Sequence, residues 1–485
     1  MIDYQDYFKN KKVLVMGLGL LGRGIGVTKF LAENGAKVTV TDLKTKGELE
    51  DAVKEINIFI KTNKLKAISY KLGGHNIADI KQAGLIIRAA NVPIDSPYLK
   101  EVKKNKITVT QDATLFAQLV GEGVKIIGIT GTRGKSTVTH LLYEILKANG
   151  RRVWLGGNVR GTATLPLLKK VKPGDVVVME LDSWQLQSFG DSKISPSLAI
   201  FTSFMNDHQN YYGSTSLTTG QNGMRRYFED KANIFKYQKA GDILIVGRNN
   251  FGPESFKLPE AIKQLKPKST LKVISETDFP KNWRLKLLGK HSRYNTALAY
   301  IAARALSVPE SVIKKTVENF AGLPGRLELV ANKGGIKYYN DTTATTPEAA
   351  MAALHALASL GLTSGNFPRL NLGRGSNLKR IILLAGGADK ELNYDHWGKV
   401  VPKYLKELIL FKGSATEKIL KVLPKKARFE IKVVENMKEA IRQAQSLAAQ
   451  GDIVLLSPGA ASFGIFKNEF DRGDQFNKLV KAIKK

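Results

Sequence analysis

The chain reads as an α/β protein in three domains, each built on a mostly parallel sheet, and three observations lead there. Short apolar runs alternate with helical patterns from one end to the other. Two glycine-rich turns, at 17–22 and 128–134, each join an apolar strand to a helix. At 485 residues the chain exceeds what one hydrophobic core supports, and 43% hydrophobic residues are enough for several cores.

The first section spans 1–113. Residues 13–16 form a buried-type strand and Gly17-Leu-Gly19-Leu20-Leu-Gly22 a tight turn. A helix over 23–34 ends at Asn34-Gly35, and 37–41 is a second strand. Asp42 stands at the end of that strand. In this pattern the glycines admit a nucleotide diphosphate to the helix N-terminus, and the acidic residue receives a ribose hydroxyl. The same turn also serves merely to let helix and strand pack closely, so alone it decides nothing. Further strands at 85–87 and 107–110 complete a Rossmann-like N-terminal domain.

Residues 126–137, Ile-Ile-Gly-Ile-Thr-Gly-Thr-Arg-Gly-Lys-Ser-Thr, are the most informative in the chain. An apolar strand enters a glycine-rich turn, and Lys135 and Ser136 open a long helix. Gly131, Thr132 and Gly134 let backbone N–H groups curl around phosphate oxygens, Lys135 reaches the outer phosphates, and Ser136, followed by Thr137, offers a hydroxyl to Mg²⁺. Strict Walker spacing would put a glycine at Ile129; Gly128 and Gly131 flank that position instead. A nucleoside triphosphate is the expected ligand. With strands at 176–181, 198–204 and 243–246, the section 114–322 is a central P-loop ATPase-type domain with a parallel sheet. An alanine-rich helix over 294–306 closes it, and Gly322-Leu-Pro324-Gly325 reads as a linker.

The last section, 323–485, repeats the theme as a Rossmann-like C-terminal domain. Strands at 336–340, 380–384, 407–411 and 453–457 are divided by helices such as 347–360 and 435–449. Residues 363–379, rich in Gly, Asn, Ser and Arg, read as a surface insertion.

Composition narrows the function. With no cysteine, disulfides, thiolate catalysis and cysteine-bound zinc are excluded. The apolar run at 13–22 is full of glycine and lacks a cleavage pattern, so it reads as strand and turn rather than signal peptide. Nowhere do 18 uninterrupted apolar residues occur, so no membrane insertion is expected and the location is cytoplasmic. The net charge of +32 invites a nucleic-acid partner, but its distribution argues against one. Lys and Arg outnumber Asp and Glu by 19 to 12 in 1–113, by 30 to 16 in 114–322 and by 26 to 15 beyond. There is no basic tail, and no arginine–aromatic stripe.

The strand at 176–181 leads into Glu180-Leu-Asp-Ser-Trp-Gln185. Ligands of open α/β sheets sit beyond the carboxyl ends of strands, so Glu180 is a candidate Mg²⁺ ligand beside the P-loop. Pairing with a nearby lysine is the plainer alternative. His208, in Met205-Asn-Asp-His208, follows the next strand and stays open between metal ligand and structural histidine.

These motifs, followed by Gly289-Lys-His291-Ser-Arg-Tyr-Asn295 and Leu323-Pro-Gly-Arg326-Leu-Glu328, stand in the order that resembles the Mur ligases. That family uses ATP to add amino acids to the peptidoglycan precursor. The resemblance is greatest to its branch adding D-glutamate to UDP-N-acetylmuramoyl-L-alanine, and it covers the whole chain. The turn 17–22 with Asp42 supports it at one end, and Ser457-Pro-Gly-Ala-Ala-Ser462, Phe466-Lys-Asn468 and Arg472-Gly473 at the other.

The resemblance implies a ligase working through an acyl phosphate. ATP would lie on Gly131, Thr132, Gly134, Lys135, Ser136, Thr137, Asn295, Arg326 and Asp341, and the UDP-sugar on Gly17, Gly19, Leu20, Gly22, Asp42 and Asn158. Thr345, Lys390 and Ser462 would hold D-glutamate. Two Mg²⁺ ions are implied, with Ser136, Glu180, His208 and a carbamylated Lys231 as ligands; Lys135, Glu180, His208 and Lys231 are the catalytic set. Domains 1–113, 114–322 and 323–485 would bind UDP-sugar, ATP and amino acid respectively. A monomer is the default expectation, and the charge distribution leaves no nucleic-acid partner expected.

Departures from the family pattern fall among the substrate contacts. Thr343 stands where a lysine is usual, Gly325 where a histidine precedes the arginine, Ser292 where an asparagine follows His291, and Asn91 where a glycine is common. The aromatic of the C-terminal loop is displaced to Phe470, with Glu469 in its place. A Mur-type ligase for another amino acid is the first alternative. A nicotinamide-dependent dehydrogenase leaves the P-loop unexplained, and a nucleic-acid-stimulated ATPase lacks helicase-type motifs.

Overall fold

In each of the first two sheets the strand order reverses once, and a glycine turn follows the strand at that switch point. The computed structural model describes residues 3–483 except 20–21, 90–91, 93–95, 206, 208, 213–219, 249–256, 364–379 and 426–428, with backbone alone at 209–210, 220–222 and 359–363. The insertion expected at 363–379 therefore lies almost wholly outside the described residues.

The first sheet is built from Lys12–Met16 (β1), Lys37–Asp42 (β2), Ser69–Leu72 (β3), Leu85–Arg88 (β4) and Val109–Thr110 (β5). Its order is β3-β2-β1-β4-β5, all parallel. The chain leaves β1 in one direction and returns to its other side at β4, so the 17–22 turn opens at the switch point.

The second sheet comprises Lys125–Thr130 (β6), Val153–Gly157 (β7), Val176–Glu180 (β8), Leu198–Phe201 (β9), Ile243–Gly247 (β10) and Thr270–Ile274 (β11), in the order β11-β10-β9-β6-β8-β7. All its pairs are parallel. The phosphate-type turn after β6 thus lies between the ends of β8 and β9. Helix Ser183–Asp191 starts at once after β8 because Asp182 and Gln185 form a capping box: Gln185 N donates to Asp182 Oδ1 at 2.7 Å, and Asp182 N to Gln185 Oε1 at 3.3 Å.

These two sheets belong to one compact unit, residues 1–283 with 294–317. One continuous apolar cluster runs through it, from Val15 and Leu31 of the first sheet's layers to Met179, Phe201 and Leu244 of the second's. Gly26 permits the approach: a Cβ there would stand 2.8 Å from Ala163 Cβ.

The second unit holds residues 284–293 and 318–485. Its sheet combines Glu328–Lys333 (β12), Ile336–Asn340 (β13), Ile381–Gly386 (β14), Leu405–Phe411 (β15), Ile431–Val434 (β16) and Ile453–Leu456 (β17) in the order β12-β13-β17-β14-β15-β16. Only β12 runs antiparallel to its neighbour among the described pairs. Among the described residues no helix is long and apolar enough to cross a membrane.

The strands absent from the sequence reading (β3, β7, β11, β12 and β16) all lie at sheet edges. Four of them carry a lysine, Lys71, Lys272, Lys333 or Lys432, as suits an edge that must not pair with another chain. In β3, β11 and β16 the lysine also breaks the apolar run that would reveal the strand.

Asp112 ties the end of the first sheet to the second. Its carboxylate accepts Ala113 N at 2.8 Å, starting the next helix, and Thr164 N at 2.9 Å. Asp112→Ala leaves the Thr164 amide buried without its acceptor and should lower stability by about 1–3 kcal/mol, read as a lower urea midpoint. Asp112→Asn, which keeps one carbonyl oxygen, should lose less.

Candidate functional site

The turn after β6 is held by backbone geometry that only glycine supplies easily. Gly131 and Gly134 have φ of +145° and +87°. A Cβ on Gly131 would stand 2.0 Å from Thr202 Oγ1, and one on Gly134 2.3 Å from Asn295 Oδ1. The loop after β9 grips the turn from the side: Thr132 N donates to Ser203 O at 2.7 Å, Arg133 N to Ser203 Oγ at 2.9 Å, and Thr202 Oγ1 to Arg133 O at 2.5 Å. Tyr294 locks that loop by donating its hydroxyl to Thr202 O. Helix Lys135–Ala148 follows with Gly134 as its N-cap and Ser136 and Thr137 in its first turn.

Two lysines converge on this turn. Lys135 Nζ donates to Gly131 O at 3.0 Å and to Thr132 O at 3.2 Å. Lys231, near the end of helix Gly220–Ala232, donates to the same Gly131 O at 2.9 Å. Lys231 is 1% exposed. Burial, and then the neighbouring Lys135 charge, push its pKa well below the usual lysine value, against the pull of Asp182, Asp207 and Asp230. Its Nζ also lies 4.8 Å from the centre of the Tyr227 ring.

Glu180 is the last residue of β8, in register with Ile129 of β6, and is buried beside the turn. His208 and Leu20 lie outside the described residues. Asp207, next to the histidine, pairs with Arg133 at 3.5 Å. Among the described residues no three His, Asp or Glu side chains cluster as metal ligands. A buried carboxylate and the Ser136 hydroxyl at a phosphate turn suit Mg²⁺, which completes its shell with phosphate oxygens and water.

The first sheet's turn lies in the same unit. Gly17, Gly19 and Gly22 have φ of +91°, +66° and +82°. Asp42 stands at the end of β2 as expected, but its carboxylate faces the turn itself: Oδ2 accepts Leu18 N at 2.8 Å and Gly19 N at 3.2 Å, and Oδ1 accepts Lys44 N at 2.9 Å. Asn158 follows β7, where its N–H donates to Glu180 O at 2.6 Å and its Oδ1 accepts Arg23 Nη2 at 2.7 Å. Asn158 thus joins the helix after the first glycine turn to the metal-type carboxylate strand.

In the second unit three loops meet at the carboxyl ends of β13, β14 and β17. Gly459 N donates to Ala344 O at 2.8 Å, and Ala388 and Ala461 exchange two backbone bonds of 3.0 Å. They bring together Thr345, Lys390 and buried Ser462, with Lys390 Nζ 3.4 Å from Thr345 Oγ1. Asp341 Oδ1 accepts Leu327 N at 3.1 Å and Oδ2 accepts Ser457 Oγ at 2.9 Å; burial pushes its carboxyl up to about 7. Arg326 precedes that amide.

Two residues received no role from the sequence. Arg472, fully buried, donates Nε and Nη2 to Thr342 Oγ1 and O, at 3.1 and 2.9 Å, and Nη1 to Ala460 O at 3.3 Å, clamping two of the three loops. Arg88, ending the apolar run Leu-Ile-Ile-Arg, is buried as well. Its place after three apolar residues was the available signal.

The Mur ligase MurD-like N-terminal domain matches residues 11–111, the Mur ligase middle domain 129–303, and the Mur ligase glutamate ligase domain 325–459. The UDP-N-acetylmuramoylalanine–D-glutamate ligase of Borreliella afzelii is 34% identical, with 99% of both chains covered. That of Roseiflexus sp. is 32% identical, with 98% of this chain and 99% of the relative covered. The chain belongs to the Mur ligase family.

Solved structures bear out the fold of this Mur ligase. The UDP-N-acetylmuramate–alanine ligase MurC of Thermotoga maritima superposes with a TM-score of 0.59 at 16% identity, covering 98% of this chain and 100% of the other. MurF of Acinetobacter baumannii gives 0.54 at 17%, covering 98% and 92%.

The buried amine of this Mur ligase has a thermodynamic signature. Between its depressed folded value and the ordinary lysine value, Lys231 binds a proton in the unfolded chain but not in the folded one, so stability rises with pH through that window. In CO₂-free buffer, Lys231→Met should flatten the rise and raise the urea midpoint at neutral pH, while Lys231→Arg should lower it.

Proposed function

We propose that this Mur ligase joins D-glutamate to UDP-N-acetylmuramoyl-L-alanine at the expense of ATP, through an acyl phosphate, in peptidoglycan precursor synthesis. One observation carries the reading: the P-loop with its two converging lysines lies in a chain that matches D-glutamate ligases over its whole length.

A carboxylate is a poor electrophile at neutral pH, and phosphorylation makes it reactive. The substrate carboxylate attacks the γ-phosphorus of ATP, ADP leaves, and the amine of D-glutamate then displaces phosphate from the acyl carbon, losing a proton as the C–N bond forms. No protein nucleophile is required; positioning and cations carry the rate. In this reading Gly131, Thr132, Gly134, Lys135, Ser136 and Thr137 hold the triphosphate, with Asn295, Arg326 and Asp341 for the rest of the nucleotide. The 17–22 turn, Asp42 and Asn158 hold the UDP-sugar, and Thr345, Lys390 and Ser462 the amino acid.

Two Mg²⁺ ions, held by Ser136, Glu180, His208 and Lys231, would supply charge neutralisation at the phosphates. Lys231 serves only as a carbamate: its neutral Nζ adds to the carbon of CO₂, the N–C bond forms, and one N–H proton passes to solvent. The low proton affinity of this buried amine supports that step. Domains 1–113, 114–322 and 323–485 take the UDP-sugar, ATP and amino-acid roles. ATP and a nucleotide sugar as substrates support a cytoplasmic location, and the even spread of basic residues supports an enzyme working without nucleic acid; a monomer is the default state.

The deciding experiment is phosphate release with Mg-ATP and UDP-N-acetylmuramoyl-L-alanine, comparing D-glutamate with L-glutamate, L-lysine and diaminopimelate. Turnover is expected with D-glutamate alone, and Lys135→Ala should reduce it about 100-fold or more. Preference for another amino acid would keep the ligase chemistry and reassign Lys390 and Ser462.

A further inference from the structure

Arg88 is a buried cation to which the proposed reaction gives no task. It is the last residue of β4 and only 5% exposed. One residue on, Ala89 packs against the first glycine turn: its N–H donates to Met16 O at 2.7 Å, and a Cβ on Gly17 would stand 2.7 Å from Ala89 Cβ. Arg88 Nη1 donates to Val92 O at 3.1 Å. Its Nη2 reaches into the second sheet's layer and donates to Gln187 Oε1 at 3.0 Å.

Gln187 lies on helix Ser183–Asp191, and its Nε2 donates to Asp230 Oδ2 at 2.7 Å. The amide has one orientation that satisfies Arg88 and Asp230, because a guanidinium only donates and a carboxylate only accepts, and the Tyr211 hydroxyl donates to the same Oε1 at 3.3 Å. Asp230 precedes Lys231 on helix Gly220–Ala232. Gly190 of the first helix also meets Asn233, the residue after the second, where a Cβ would stand 2.5 Å from Asn233 Nδ2. A chain of two direct bonds therefore runs from the strand behind the first glycine turn to the neighbour of the lysine on the second.

We propose that Arg88 is a positioning residue for Lys231. It fixes the polarity of Gln187, Gln187 holds Asp230, and Asp230 sets the seat of the lysine-bearing helix, keeping Lys231 Nζ on the Gly131 carbonyl. The inference rests on the reading of Lys231 as the carbamate-bearing residue. A merely structural arginine would affect stability and leave the lysine's chemistry alone.

The test is ¹³C NMR of the full-length protein in ¹³C-bicarbonate, together with steady-state kinetics. Wild type should show a carbamate resonance that Lys231→Arg lacks. Arg88→Met should weaken it several-fold and lower kcat about tenfold, with the nucleotide-sugar KM changed less than about twofold. Added bicarbonate should restore part of that kcat, and Arg88→Lys should stay near wild type. Gln187→Glu keeps an ion-pair partner for Arg88 but turns an acceptor toward Asp230. It should copy Arg88→Met, and it decides the matter if Arg88→Met folds poorly.

Wild-type carbamate and kcat in these variants would overturn the proposal. So would a loss confined to the nucleotide-sugar KM. Absence of the resonance from wild type would instead remove the carbamate reading. The kcat of the two variants would then decide positioning of the amine itself: a fall at unchanged KM sustains it, and no fall overturns it.

Discussion

Two lysine amines from different helices meet on one backbone carbonyl, that of Gly131, and much of the first unit is arranged around this encounter. Bonds of 3.0 and 2.9 Å to one oxygen hold the nitrogens within about 6 Å of each other. Two ammonium charges at about 6 Å repel by roughly 3 kcal/mol at an effective dielectric of about 20. Burial penalises a charge on Lys231 further, and the nearby carboxylates of Asp182, Asp207 and Asp230 offset only part of it. The fully buried amine therefore yields its proton first. A neutral amine beside a phosphate-type turn is a nucleophile for CO₂, and a cation there would be only another phosphate contact.

The encounter requires the turn to be rigid, which explains the packing around it. Gly131 lies too close to Thr202 for any side chain, and Ser203 and Thr202 take up the turn's N–H and carbonyl groups on one flank. On the other flank Glu180 ends β8 and the Asp182 cap starts a helix two residues later. That helix carries Gln187, and so the acidic motif after β8 both presents a carboxylate and supports the helix that seats Lys231. The first sheet joins the same network through Arg88 and through the Arg23–Asn158 bond.

Legibility followed burial and locality. The central strands were visible as apolar runs, and both glycine turns as glycine spacing, because each depends on residues adjacent in sequence. Edge strands such as β3 and β16 were not, since their lysines break the run. Glu180 was legible as a strand-end carboxylate. Arg88, Gln187 and Asp230 were not, because their meaning is a contact among three segments about 100, 40 and 140 residues apart, and no local pattern encodes it. Asp42 was legible in position but only partly in function. Strand-end placement identified it, and the three backbone amides that it accepts appear only in the fold.

Two of the departures from the family pattern in the second unit, Gly325 and Thr343, meet in one turn. Gly325 has φ of +70°, and a Cβ there would stand 2.8 Å from Thr342 Cγ2. Thr342 cannot retreat, because the buried Arg472 guanidinium holds both its hydroxyl and its carbonyl. With no side chain at 325, Thr343 closes on the Gly325 carbonyl through its N–H at 3.2 Å and its hydroxyl at 3.1 Å. Thus the space beside Gly325 is closed by Thr342, and its carbonyl is taken up by Thr343. A lysine at 343 would forfeit the hydroxyl bond, and a histidine at 325 would need both a left-handed backbone and the space of the Thr342 methyl. Two positions further along the same loop, Thr345 Oγ1 stands 3.4 Å from Lys390 Nζ.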